Sequence, residues 1–153
     1  MSDLNTVVDK VQRILVKNYS GVTLAGDGDE FFIDHGSTRV WISCMKANEE
    51  LDDIIVQVGA LVAADVSPSP ELYKEVATSY MGRAFGCSLR MFPEDEEHTK
   101  YMVVLESRIL GNFLDEDELR AAVEYSASSA DYEDDGFAAR HGGTVFNPDG
   151  NRD

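Results

Sequence analysis

"RVWISCM" at residues 39–45 and "DDIIVQVGALVA" at residues 52–63 decide the fold. In the first stretch Val40, Ile42 and Cys44 alternate with Trp41, Ser43 and Met45. Successive side chains of a β-strand point to opposite faces, so this period of two separates one face from the other. In the second stretch Ile54, Val56, Val58, Ala60 and Val62 form one set, and Ile55, Gln57 and Gly59 stand opposite. One face of each strand is therefore a core face. The other belongs to solvent, to a partner, or to a second layer.

Towards the N-terminus, residues 22–25 with 30–34 read as a β segment, so three such segments run up to residue 64: this one, 38–46 and 53–64. Before them, Leu4, Val7, Val8, Val11, Ile14 and Leu15 recur at spacings of three and four. That spacing puts them on one face of a helix over residues 3–18, with Ser20-Gly21 closing it.

Towards the C-terminus, "SPSPELYKEVATSYMGR" (67–83) carries helix signposts: Ser69 to cap, Pro70 in the first turn, Gly82 as a stop. Leu72, Tyr73, Val76, Ala77 and Tyr80 make its inner stripe. "AFGCSLRMF" (84–92) alternates again, setting Phe85, Cys87, Leu89 and Met91 against Gly86, Ser88 and Arg90. The polar "PEDEEHTK" (93–100) is the turn of a hairpin whose second strand is "YMVVLESRI" (101–109). "DEDELRAAVEYSASSA" (115–130) is a final helix, capped by Asp115 with Glu118 three residues later. Its inner face of Leu119, Ala122, Val123, Ser126, Ala127 and Ala130 is built from small side chains that permit close packing. Beyond it, a single helical turn over Phe137–Arg140 stops at Gly142-Gly143, residues 144–146 are extended, and 147–153 form a loose, flexible tail.

The chain has 153 residues, enough for one domain with a real core, here placed at residues 1–146. A hydrophobic fraction of 43% and a charged fraction of 27% are ordinary for a globular protein. The net charge of -16, from 29 acidic and 13 basic residues, is not. Such a field repels phosphate backbones and anionic lipid surfaces, so no direct nucleic-acid or membrane partner is expected. "MSDLNTVVDK" has no basic region followed by an apolar run, and no stretch approaches the roughly 18 apolar residues that span a bilayer. With only Cys44 and Cys87, both in apolar strands, the expected setting is the reducing cytoplasm with free thiols.

The stretch nearest to chemistry is "GDGDEFFIDHG" (26–36). A calcium loop beginning at Asp27 has an oxygen ligand at Asp29, but it puts Phe31, Phe32 and Thr38 where a ligand, a glycine and a glutamate are needed. The glycines instead permit a turn. His35, His98 and His141 are far apart and lack the pairing of a zinc site. No nucleophile elbow, phosphate loop or dinucleotide fingerprint is present, so the expectation is a protein that is not an enzyme and holds no metal or cofactor. What remains is surface for binding, with Trp41, Met45, Phe85, Leu89 and Met91 as the candidate contacts.

The amphipathic first helix at 3–18, the Ser-Pro-rich approach to the middle helix at 67–72 and the closing "DDGFAARHGG" (134–143) together resemble the YbjN family, particularly its actinobacterial members. That family shares the fold of type III secretion chaperones. The resemblance implies an α+β sandwich of order helix-β-β-β-helix-β-β-helix with an antiparallel five-stranded sheet, frequent homodimers, and a chaperone-like or regulatory role exercised through protein contacts. It carries no catalytic residues. The expected function is a protein-binding module that takes a partner segment, its identity unknown, on a sheet face or strand edge. The alternative is an acidic regulator that occupies the basic surface of a nucleic-acid-binding protein, with binding that falls steeply with salt.

Overall fold

Alternation in the two deciding stretches becomes the centre of one antiparallel sheet. A computed structural model describes residues 3–48, 52–79 and 86–146. The elements run α1 (Leu4–Asn18), β1 (Thr23–Ala25), β2 (Glu30–His35), β3 (Thr38–Lys46), β4 (Ile54–Val66), α2 (Pro70–Thr78), β5 (Ser88–Pro93), β6 (Tyr101–Leu110) and α3 (Glu116–His141). The strands lie in the order β1-β2-β3-β4-β6-β5. The α+β architecture and the helix order are as the sequence predicts, but the sheet has six strands, not five.

The extra strand comes from the glycine turn. Gly26 and Gly28 take φ values of 64° and 98°, a region open to glycine at no steric cost. The chain reverses there, and Thr23–Ala25 pairs with Glu30–Phe32 as a strand of its own. The segment read as one unit is thus a hairpin. The reading of 147–153 as a loose tail lies outside the described residues.

Register assigns the two faces. Val40 opposes Ala60, Ile42 opposes Val58 and Cys44 opposes Val56; across β6 the same row continues through Leu105, Ser107 and Ile109. These residues are buried with Val11 and Leu15 of α1 and with Leu119, Val123, Ala127 and Phe137 of α3. Helices α1 and α3 therefore cover this face. Asp3 caps α1 by accepting from Thr6 N–H at 2.7 Å, and Asp115 caps α3 by accepting from Glu118 N–H at 2.7 Å.

Helix α2 sits beside β5 and joins the core through Leu72 alone among its buried residues. Ser69 caps it as predicted, accepting from Leu72 N–H at 3.1 Å. Tyr73, predicted inside, is exposed, and its neighbour Tyr80 is outside the described residues. The helix is fixed to α3 by Glu75, which accepts from Arg140 Nη2 at 2.7 Å and meets His141 Nε2 at 2.5 Å.

α3 corrects a second expectation. The predicted break after Ala130 is absent, and the helix continues through "DYEDDG" to His141. Ser126, Ala127, Ala130, Asp134 and Phe137 keep the helical spacing and are all buried. Asp134 looks like a surface residue in sequence but is only 1% exposed. A buried carboxylate must be hydrogen-bonded, and the β2–β3 turn supplies the donor: Ser37 Oγ lies 2.5 Å from Asp134 Oδ2. The same hydroxyl meets Asp131, which also accepts from Ser37 N–H at 2.8 Å. Gly142, at φ 75°, then ends the helix, its N–H donating to Ala138 at 2.8 Å.

Candidate functional site

The face of the sheet turned away from the helices is built by the other half of each alternation. Phe32 opposes Trp41, Trp41 opposes Gly59, Gly59 opposes Glu106, and Glu106 opposes Ser88, a row crossing five strands. A second row joins Met45, Ile55 and Leu110. A third joins Leu61, Val104 and Arg90. Among the described residues no helix lies over these rows.

Trp41 is the centre of this surface and the only tryptophan of the chain. Its indole is partly buried because it lies across Gly59: a β-carbon there would stand 2.2 Å from Cζ2 of the ring. Glycine is thus what lets a large ring rest flat on the sheet. Beside it, Glu106 is only 2% exposed although it faces away from the core. Gln57 Nε2 donates to one of its oxygens at 2.6 Å and Arg108 Nε to the other at 2.8 Å, which satisfies the carboxylate. At the far end of the sheet Arg39 donates to Asp34 at 2.7 Å and stacks 4.7 Å from the ring centre of Phe146.

The five candidate contacts do not share a surface. Trp41 and Met45 are on the open face, Met45 with 40% of its surface accessible. Leu89 is in the core, and Met91 packs against that core from the helix-bearing side, because Leu89 opposes Leu105 and Met91 opposes Val103. Phe85 lies outside the described residues. The sequence alternation had separated Leu89 and Met91 from Ser88 and Arg90 but could not say which pair turned outward. The open face instead gains Phe32, Ile55, Leu61 and Leu110, residues placed there by register alone.

Cys44 has no nucleophilic character. Burial, and secondarily the charge of Asp29, pushes its thiol up to about 12, so it stays protonated. Among the described residues no group of His, Cys, Asp or Glu is arranged to hold a metal ion, and no helix is long and apolar enough to cross a membrane. A concavity of about 300 Å³ lies between α3 and β6, lined by Ala121, Ala122 and Ile109, with the hydroxyl of Ser107 buried beside it and unpartnered among the described residues.

Comparison with known proteins bears on this geometry. No curated protein matches the chain. Among solved structures, a chain of "Crystal Structure of the ExsC-ExsE Complex" superposes with a TM-score of 0.59 at 18% identity, covering 88% of this chain and 96% of that one. At that identity the likeness is one of fold. The family model described as TY-Chap1, "T3SS (YopN, CesT) and YbjN peptide-binding chaperone 1", matches residues 3–149, nearly the whole length. The chain belongs to this family of peptide-binding chaperones.

Proposed function

We propose that the protein binds an extended segment of a partner protein on the open sheet face, with Trp41 at the centre of the contact. The observation that carries this reading is the large aromatic ring laid over Gly59 in a face that no described helix covers. Apolar residues on either side, Met45 with Ile55 and Leu110, and the half-buried Leu61, extend the same surface. A rigid, partly exposed aromatic side chain among aliphatic ones is the usual anchor of a recognition surface, since it offers large contact area at low entropic cost. Membership of a peptide-binding chaperone family supports the reading, as does a structural neighbour described in complex with ExsE.

The test uses the single tryptophan as its own reporter. Synthetic 13-residue peptides that lack tryptophan and carry an apolar middle are titrated while Trp41 emission is followed. Saturable change in emission is expected, together with binding that Trp41→Ala weakens by about tenfold or more, the loss typical of a central anchor. Binding by calorimetry with unchanged emission and no effect of Trp41→Ala would place the peptide elsewhere.

A further inference from the structure

We infer that the segment this face accepts has an apolar middle and basic residues at both ends, and that it lies along the strands. The inference rests on the open face being the peptide site. The net charge of the chain is -16, yet it is not spread over the sheet face. Within the face, Asp34 is matched by Arg39 and Glu106 by Arg108, while Arg90 adds a further cation between Ser88 and Phe92. The centre of the surface therefore presents Phe32, Trp41 and Leu61 beside a polar row of Ser43, Gln57 and Arg108, and Arg90 tips its charge slightly positive.

The two ends of the strands differ from the centre. At one end the β1–β2 turn carries Asp27 and Asp29, β2 opens with Glu30, and β4 is preceded by Asp52 and Asp53, with Lys46 among them. At the other end Asp65 is the penultimate residue of β4, and the β5–β6 turn carries Glu94, Asp95, Glu96 and Glu97, with Lys100 donating to the Asp65 carbonyl. Register shows that these groups belong to opposite ends: Glu30 opposes Ser43 and Lys46 opposes Ile54 at the first, while Val66 opposes Tyr101 at the second.

A mixed aromatic, aliphatic and polar floor without net negative charge, set between two acidic rims, selects a ligand by charge as well as by shape. Steering by the rims raises the encounter rate of a basic-flanked segment, and juxtaposed like charges reject an acidic one. β6 has 10 residues, so at ~3.4 Å per residue the rims stand roughly 30 Å apart. An extended segment covers that span with roughly nine residues. The partner class is therefore a segment with lysine or arginine at both ends of an apolar stretch of about this length.

Three probe peptides test this, sharing one apolar nine-residue middle and flanked at both ends by Lys-Lys, Ser-Ser or Glu-Glu. Emission of Trp41 reports binding of each. The expected order is Lys-flanked, then Ser-flanked, then Glu-flanked, with about a tenfold or larger separation between the first and last at low salt. The separation should close at 1 M salt, where the screening length falls to ~3 Å. Reversing charge at one end with Glu96→Lys and Glu97→Lys, or at the other with Asp27→Lys and Asp52→Lys, should each remove part of the preference, and both together should abolish it. All four residues are exposed, which keeps the folded state out of the outcome.

If all three peptides bind equally and perturb Trp41, the charge selection is wrong while the face remains the site. If none perturbs Trp41, the site itself is wrong and the inference falls with it. A dimer in sedimentation that Trp41→Arg dissociates, with no response to peptide, would mean that a second copy covers the face, and would also overturn it.

Discussion

Trp41 and Gly59 are cross-strand partners in direct contact, the ring of one occupying the space where a β-carbon of the other would stand. The nearest approach of that added carbon would be 2.2 Å to Cζ2, so Gly59→Ala must move the indole. Overpacking of this kind costs about 1–3 kcal/mol. The expected result is a loss of that size in chemical denaturation, with a shifted Trp41 emission. In the Trp41→Ala background the same Gly59→Ala change should cost much less, because the clash is gone, and a double-mutant cycle measures the coupling. Equal costs in both backgrounds would show that the ring does not rest on Gly59.

Cys44 opposes Val56 in the core row and its thiol is held protonated by burial. A thiol pushed up to about 12 is almost wholly unreactive at pH 8, since the thiolate is the nucleophile. Treatment of the folded protein with a thiol reagent at pH 8 should leave Cys44 unmodified, and denaturant should make it react at once. The peptide containing Cys44, identified by mass spectrometry after a timed quench, reads the difference. Fast labelling in the native state would contradict the burial.

Periodicity carried most of this fold, because strands and helices with one buried face write their pattern into the sequence. The core rows of β3 and β4, the caps at Ser69 and Asp115 and the inner stripe of α1 were all legible in this way. What was not legible depended on partners distant in sequence. Asp134 reads as a surface residue until Ser37, from a turn 97 positions away, supplies its hydrogen bond. Leu89 and Trp41 are both apolar members of alternating strands, and only the pairing of β5 with β6 and of β3 with β4 reveals that they point to opposite faces. The separate β1 strand was hidden because three residues are too few for a period to be counted.

Ser37 meets both Asp131 and Asp134 and joins the β2–β3 turn to the second half of α3. Ser37→Ala removes the hydroxyl from two carboxylates, one of them buried. Depriving a buried polar group of a partner costs about 1–3 kcal/mol. The loss should be local as well as global: amide exchange should accelerate over residues 131–141, which include the stretch 131–136 that sequence alone leaves outside any helix, and much less over the start of α3. Exchange measured by mass spectrometry on peptic fragments tests this. A uniform change along α3 would show that the turn does not anchor its second half.

Glu75 links α2 to the end of α3, and its carboxyl is held below the ordinary carboxylate range. The hydrogen bond from Arg140 is the main cause; partial burial opposes it, and the contact with His141 adds to the lowering. A carboxyl with a depressed folded value stabilises the folded state above its unfolded value, about 4.3, and loses that contribution as the pH falls through the folded value. Glu75→Gln keeps the shape but removes the charge, so it should cost about 1 kcal/mol at pH 7, the upper range for a partly exposed pair. The gap in melting temperature between wild type and variant should be present at pH 7, narrow below about pH 4.3 and close in stronger acid. Raising the salt concentration should shrink the gap at pH 7, since part of the attraction is screened. A gap that persists unchanged into strong acid would mean that Glu75 holds α2 by packing rather than by charge.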